Sequence, residues 1–226
     1  MQDAAPDQPF RDLTVGDFVG RLASSAPVPG GGSASAIAAS LGAGLVAMVA
    51  ALSQDRPRYA EHADLHADVA PRGRALADRL LAIADDDAAV YATFGAAARL
   101  PRVTPDEQAI RSAAMQAAAR TAAEVPLRCV EACREVVSLA EMLAGRSNVN
   151  AASDLDVAAL LAEAAARGAA ANVRINLPSV GDEAYAAATG TRVAALLADV
   201  VRIAALIHDT VAGGAARPPV TSRPVA

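Results

Sequence analysis

No charged side chain occurs between Ala26 and Gln54, and this gap constrains the chain more than any other feature. It opens with a proline-bracketed glycine triplet, Gly30, Gly31 and Gly32. From Ala34 to Leu52 it continues with only Ala, Gly, Ser, Ile, Leu, Val and Met. A helix with such residues on every face has no side to offer to water, so other protein or lipid must enclose it. The glycines allow a turn and a close backbone approach, and Ser33 stands where a helix N-cap is expected. The other segments read as packing around that helix.

At about 1.5 Å per residue the run is long enough to cross a hydrocarbon layer of about 30 Å. It is built from Ala, Ser and Gly more than Leu and Phe, and no basic or aromatic anchor marks its start. A buried core helix is therefore expected, with no membrane partner. Ser40, Gly44 and Met48, with Ser33, Ile37 and Leu41, lie on adjoining strips whose small members should admit partner helices.

The 226 residues suffice for one well-buried domain. They are 54% hydrophobic but 3% aromatic, without Trp, so the core must come from Ala, Leu and Val at close helix spacing. Period-two β-branched or aromatic runs are lacking. The expectation is an all-α, single-domain bundle of long, partly kinked helices around the central apolar helix, with no β-sheet. Residues 1–12 read as a flexible leader, 13–212 as the helical domain and 213–226 as a disordered tail. A net charge of -5 with no basic aromatic face excludes nucleic acid as a partner. The start MQDAAPDQPF has no basic and apolar export signal, so a cytoplasmic protein is expected. Cys129 and Cys133, four apart on a helix, suit reduced core thiols better than a disulfide.

Thr14 and Asp17 mark the start of a first helix with an apolar face of Val15, Phe18, Val19 and Leu22. A long helix follows from about Tyr59 to Ala98, where Pro71 and Gly73 should kink or interrupt it. Thr104 and Pro105 open another, reaching about Leu143, which Pro126 should bend or split. Ser153 with Asp156 repeats the capping-box spacing before a helix that ends at Pro178, and a last helix spans about Gly181 to Val211.

Backbone N–H groups in the loop Pro29, Gly30, Gly31, Gly32 and Ser33 could bind a carboxylate or phosphate, or the glycines could serve only a tight turn. No Gly-Lys-Ser/Thr follows and no strand precedes, which excludes a Walker loop and a dinucleotide fingerprint. Asn148, Asn150, Ser153 and Asp154 form a second polar stretch, and Asn172 and Asn176 share a helix face one turn apart. Helix capping is the bland alternative, strongest for Asn148 and Ser153. Successive helical residues point about 100° apart, so at most one of Asp85, Asp86 and Asp87 enters a given site. His62 and His66 have chelating spacing, but no third ligand accompanies them and their segment reads as polar and solvated, so no metal is expected.

Seven segments recur in a telling order. They are LASSAPVPGGGSASAIAASLGAGLVAMV at Leu22, Arg58-Tyr59, DAAVY at Asp87, LPRVTPDEQAIR at Leu100, VPLRCVEACREV at Val125, SNVNAASDLDVA at Ser147 and NVRIN at Asn172. In these the chain resembles the cyclodeaminase/cyclohydrolase family, from Thr14 to about Val211. That family includes the C-terminal domain of formiminotransferase-cyclodeaminase and stand-alone methenyltetrahydrofolate cyclohydrolases. The resemblance implies an all-helical homodimer with its active site in an interface groove. The substrate would be a tetrahydrofolate derivative, with no cofactor beyond it and no metal.

Two reactions fit: ring closure of 5-formiminotetrahydrofolate with loss of ammonia, and addition of water to 5,10-methenyltetrahydrofolate. Because no formiminotransferase domain precedes, the stand-alone type is expected. Either reaction calls for a carboxylate beside a cationic amidinium and carboxamides to orient ligand or water. Asp154 is the first candidate for the carboxylate and Asp87 the second. Asn148, Asn150, Asn172 and Asn176 would hold ligand or water, the loop Pro29 to Ser33 would supply backbone donors, and Arg56 and Arg58 would meet the glutamate tail. Arg56-Pro57-Arg58-Tyr59 stands where such cyclohydrolases have a lysine-rich segment, and arginine cannot donate a proton as lysine does. A helical dimer that binds folate without turning it over is the alternative.

Overall fold

A computed structural model describes residues 8–220. Six helices occupy most of them, and no strand occurs among the described residues. They are α1 (Val15–Leu22), α2 (Gly31–Ser53), α3 (Ala63–Ala98), α4 (Pro105–Leu143), α5 (Ala152–Asn176) and α6 (Glu183–Gly213). Short 3-10 segments at Phe10–Asp12, Pro57–His62, Val149–Ala151 and Leu177–Ser179 stand before and between them.

Helix α2 is the axis of the bundle. The Ser33 hydroxyl donates to the Ala84 carbonyl at 3.0 Å and the Ser40 hydroxyl to the Ala77 carbonyl at 2.9 Å, which sets α3 antiparallel to α2. On the other flank a Cβ at Gly42 would lie 3.0 Å from the Ala158 carbonyl, and one at Gly168 would lie 2.5 Å from Ser35 Oγ. Helix α5 is therefore antiparallel to α2 as well. Gly73 of α3 meets Ala43 and Ala47 of α2 so closely that a Cβ would stand 2.9 Å from Ala47 Cβ. Alanine, valine and leucine from α2 to α6 fill one continuous core. Cys129 and Cys133 are buried in it as free thiols. The bond with Cys129, followed by burial, pushes the Cys133 thiol well above its ordinary value and keeps it unreactive.

By length and composition α2 could cross a membrane, with mean hydropathy 2.0 in its most apolar stretch, yet half of that stretch is buried against protein. The enclosure is incomplete. Leu41 is 60% exposed, Met48 39% and Leu52 41%, with Gly44 open between them. These positions form a single stripe at helical spacing. Gly44 was expected to admit a partner helix, but within the chain Gly42 does so.

Thr14 caps α1 by accepting from the Asp17 N–H, and Thr104 with Glu107 completes a capping box at α4. Elsewhere the capping expectations need correction. The N-cap of α2 is Gly30, and Ser33 lies inside the helix, buried and bonded to α3. Helix α5 starts after Ala151 with no side-chain cap, so Ser153 and Asp156 form no capping box. Helix α3 begins at Ala63 rather than Tyr59, and α6 begins at Glu183 under an Asp182 cap. The apolar face expected of α1 is largely uncovered, with Val15 82% and Val19 54% exposed, and only Phe18 packs, edge-on to Phe10 at 5.4 Å.

Neither proline splits its helix. Pro71 leaves the Ala67 carbonyl without its intrahelical donor at an exposed position, where water serves. Pro126 does the same to Ala122, and there the Asn176 carboxamide of α5 donates to the Ala122 carbonyl at 3.0 Å. Asn176→Ala should therefore cost about 0.5–1.5 kcal/mol, the usual net worth of one hydrogen bond, since the Ala122 acceptor is only part-buried. In Pro126→Ala the restored N–H supplies the missing donor, so most of that cost should vanish in the double variant when unfolding is followed in urea.

The segment after α6, expected as a loose tail, turns back onto the end of α4. Arg217 N–H donates to the Gly145 carbonyl at 2.9 Å and its guanidinium pairs with Glu141 at 2.6 Å. Arg146 Nε donates to the Pro218 carbonyl at 2.6 Å. The expected leader begins in residues outside the described range, and Phe10 N–H within it donates to Asp85 Oδ1 at 2.7 Å.

Candidate functional site

The residues singled out in the sequence fall at the two ends of α2. At its N-terminal end the loop Pro29 to Ser33 meets Asp87. A Cβ at Gly32 would fall on the Asp87 carboxylate, 2.6 Å from Oδ2, so only glycine admits that carboxylate. The Ser33 hydroxyl lies 3.0 Å from Asp87 Oδ2 as well as from the Ala84 carbonyl, and shares its one proton between them. Asp87 is half-buried, and burial pushes its carboxyl above the ordinary value against the opposing hydrogen bonds from Ser33. Of the neighbouring acids, Asp85 accepts from Phe10 N–H and lines the adjoining cavity, and Asp86 pairs with Arg128 at 2.8 Å. Pro29 is buried, while Gly31 is exposed with open space around it.

Asn172 belongs to this end. From the meeting of Gly168 with Ser35, one further turn of α5 brings Asn172 level with Gly31. It is half-buried. Asn176 is committed to the Ala122 and Asn172 carbonyls. A cavity of about 590 Å³ adjoins the loop, lined among others by Phe10, Arg21, Val28, Pro29, Asp85 and Ala92. The sequence reading missed Arg21, whose isolated charge on α1 gave no signal of this placement.

The second end gathers the other candidates. The buried Ser53 hydroxyl accepts from Asn148 N–H at 2.8 Å, fastening the α4–α5 connection to the end of α2. Asn148 is itself buried, its Oδ1 accepting from Asn150 N–H at 3.1 Å, whereas Asn150 is exposed. Tyr59 accepts from Val149 N–H at 3.0 Å and carries Arg58 over its ring at 5.7 Å. Arg56 and Arg58 are exposed, and Asp154 is half-buried in the first turn of α5. Beside it a cavity of about 390 Å³ is lined by Arg58, Tyr59, His62, Ser147, Ser153 and, from beyond α6, Gly214 to Ala216.

The histidine pair corrects the reading of that segment as solvated. His62 is 5% exposed and His66 fully buried. His66 Nε2 donates to the Arg146 carbonyl at 2.9 Å. Among the described residues no three His, Cys, Asp or Glu side chains cluster as a metal would require.

Ser33 of α2 meets Asp87, while Asp154, one turn of α5 before the Gly42–Ala158 contact, stands level with about Val46, so the two carboxylates lie roughly 20 Å apart along α2 within one chain. One reacting carbon cannot touch both in the same protomer.

Residues 14–195 match the formiminotransferase-cyclodeaminase family. Over 199 residues the chain is 40% identical to the methenyltetrahydrofolate cyclohydrolase of Methylorubrum extorquens, covering 88% of this chain and 95% of that protein. It is 36% identical to the formimidoyltransferase-cyclodeaminase of Gallus gallus, covering 92% of this chain and 38% of that longer protein. The crystal structure of a formiminotetrahydrofolate cyclodeaminase from Thermotoga maritima superposes with a TM-score of 0.81 over 90% of this chain and 98% of that one, a likeness of fold at 22% identity. With most of its length matched and a relative of similar size at 40% identity, the chain belongs to the formiminotransferase-cyclodeaminase family.

Proposed function

We propose that this chain hydrolyses the methenyl bridge of 5,10-methenyltetrahydrofolate, as the cyclohydrolase relative of similar length is named to do, and that it works as a homodimer. The observation that carries the chemistry is the Asp87 carboxyl, held by Ser33 against Gly32 in a half-buried position. Burial makes its ionised form costly, and a cationic amidinium beside it offsets that cost, so the site favours the charged substrate over a neutral one. Water adds to the carbon between the two nitrogens and gives up a proton. The tetrahedral carbon then collapses, breaking its bond to one nitrogen, which is protonated as the formyl C=O forms. The substrate's positive charge leaves as a proton to solvent. Closure of the formimino derivative passes through a similar tetrahedral carbon and expels ammonia. The 36% identity to the Gallus gallus protein keeps it as the second reading. No metal and no cofactor beyond the folate enter either scheme, and the reaction is assigned to the cytoplasm.

Dimerisation follows from the uncovered stripe Leu41, Gly44, Met48 and Leu52. A second copy, rather than lipid, would complete the enclosure that an all-apolar helix requires. A two-fold axis crossing α2 near Gly44 makes the two copies of α2 antiparallel. Each Asp87 end then meets the partner's Asp154 end, uniting the two half-sites. Arg56 and Arg58 would close the groove toward the glutamate tail, with Asn150 and Asn172 near the ring system.

The test follows loss of the methenyl chromophore at a pH where spontaneous hydrolysis is slow, with ring closure of the formimino derivative as the second assay. Wild-type protein inactive in both would end the enzymatic reading and leave a folate-binding dimer. Carboxylates buried in the stripe should break the dimer: Leu41→Glu with Met48→Glu is expected to sediment as a folded monomer with turnover reduced at least about tenfold.

A further inference from the structure

The segment that follows α6 is built into the cavity beside Ser153. Gly214, in the left-handed region at φ 63°, ends α6 with its N–H on the Thr210 and Val211 carbonyls and turns the chain back. Gly214, Ala215 and Ala216 then form one wall of the cavity. Other walls come from Arg58, Tyr59 and Glu61 ahead of α3, and from Ser147 and Ser153 around the α4–α5 connection.

Three ties hold this strap in place. Arg217 N–H donates to the Gly145 carbonyl at 2.9 Å. The Arg217 guanidinium pairs with the Glu141 carboxylate at 2.6 Å and donates to the Glu141 carbonyl at 3.2 Å, and both side chains are largely buried. Arg146 Nε donates to the Pro218 carbonyl at 2.6 Å. The fit is close as well. A Cβ at Gly145, itself at φ 73°, would stand 2.8 Å from the Ala215 carbonyl oxygen and 2.9 Å from Arg217 Cγ, so only glycine lets the strap lie there.

The residues that the strap grips are those that launch the α4–α5 connection. Arg146 is 8% exposed, and its guanidinium donates to the Met142 carbonyl at 3.0 Å besides the Pro218 carbonyl. A buried guanidinium without its acceptors is costly, so the strap stabilises Arg146 where it stands. From there the chain runs to Ser147 on the cavity wall, through Asn148, to Asp154 in the first turn of α5. We propose that the strap, residues 214–218, is a binding element of the folate site, shaping the Asp154 half of the groove, with Arg217 as its positioning residue. The strap brings only backbone and methyl groups to the cavity and no reacting group. Its release should therefore weaken substrate and transition state alike, raising KM and sparing kcat.

This role rests on the folate reading, and the test separates the two. In the full chain, Arg217→Glu sets two carboxylates against each other and should free the strap. KM for the folate derivative turned over should rise about tenfold, with kcat within about threefold of wild type. Arg217→Lys keeps a cation opposite Glu141, and its KM should stay within about threefold of wild type. A strap serving stability alone would lower the melting temperature of Arg217→Glu and leave KM unmoved. In the wild type, saturating 5-formyltetrahydrofolate should slow hydrogen exchange of the strap amides. Wild-type protein that turns over neither folate derivative and does not bind 5-formyltetrahydrofolate overturns the folate reading and this role with it. An active wild type whose folded Arg217→Glu variant keeps its KM overturns this role alone. Should Arg217→Glu fail to fold, the exchange measurement decides: strap amides unmoved by the ligand overturn the role, and slowed ones uphold it.

Discussion

Asp87→Asn is expected to reduce turnover of 5,10-methenyltetrahydrofolate by two to four orders of magnitude while leaving the fold intact, the range seen when an electrostatic or proton-transfer group is lost. The Ser33 hydroxyl lies within bonding distance of both Asp87 Oδ2 and the Ala84 carbonyl, and an amide oxygen in place of Oδ2 still accepts, though more weakly, so the loop and the start of α2 keep their anchor. What disappears is the negative charge opposite the amidinium. Stability should move the other way. Burial raises the folded-state value of this carboxyl above that of the unfolded chain, so the folded protein binds the proton more tightly. Folding stability then falls as pH rises from the unfolded value through the folded one, and the cost is fully present above the latter. Asp87→Asn should consequently melt at the same or a higher temperature than wild type at neutral pH, with the difference fading below the ordinary carboxylate range. A variant that lost activity by unfolding would show the opposite shift.

The sequence showed some levels of this architecture far better than others. The charge-free run from Ala26 to Gln54 identified the central helix, because a helix with no polar face has few places to be. Thr14 and Thr104 were legible as caps since their partners lie three residues away. Ser33 misled because its real partners, Ala84 and Asp87, are more than fifty residues distant, and only packing joins them. The histidine pair failed for a related reason: a helix flanked by Asp and Glu reads as wet, yet His62 and His66 turn inward beneath the α4–α5 connection. Asn176 is instructive. That Pro126 frees the Ala122 carbonyl is arithmetic on the sequence, but that an asparagine fifty-four positions later supplies the donor is not. Of Asp85, Asp86 and Asp87, helical geometry turns them different ways, and it is Asp87 that meets the glycine loop at Gly32.

The separation of the two carboxylates leads to the other large effect. Asp87 lies beside the start of α2 and Asp154 beside its second half, roughly 20 Å apart along the helix, so a catalytic centre that uses both must draw them from different protomers. Asp87→Asn and Asp154→Asn should each be nearly inactive as homodimers. When the two are unfolded together, mixed and refolded, half of the dimers are heterodimers. In an antiparallel dimer each heterodimer has one site carrying both substitutions and one carrying neither. Activity should therefore return to about 25% of the wild-type value, the statistical yield for sites shared across a two-fold axis. If each centre were built within one chain, every site in the mixture would carry one substitution and no activity would reappear. The same mixture made in the Leu41→Glu, Met48→Glu background should stay inactive, because the exposed stripe that brings the ends together is lost. Recovery in the first mixture and its absence in the second would tie the uncovered face of α2 to the chemistry at both of its ends.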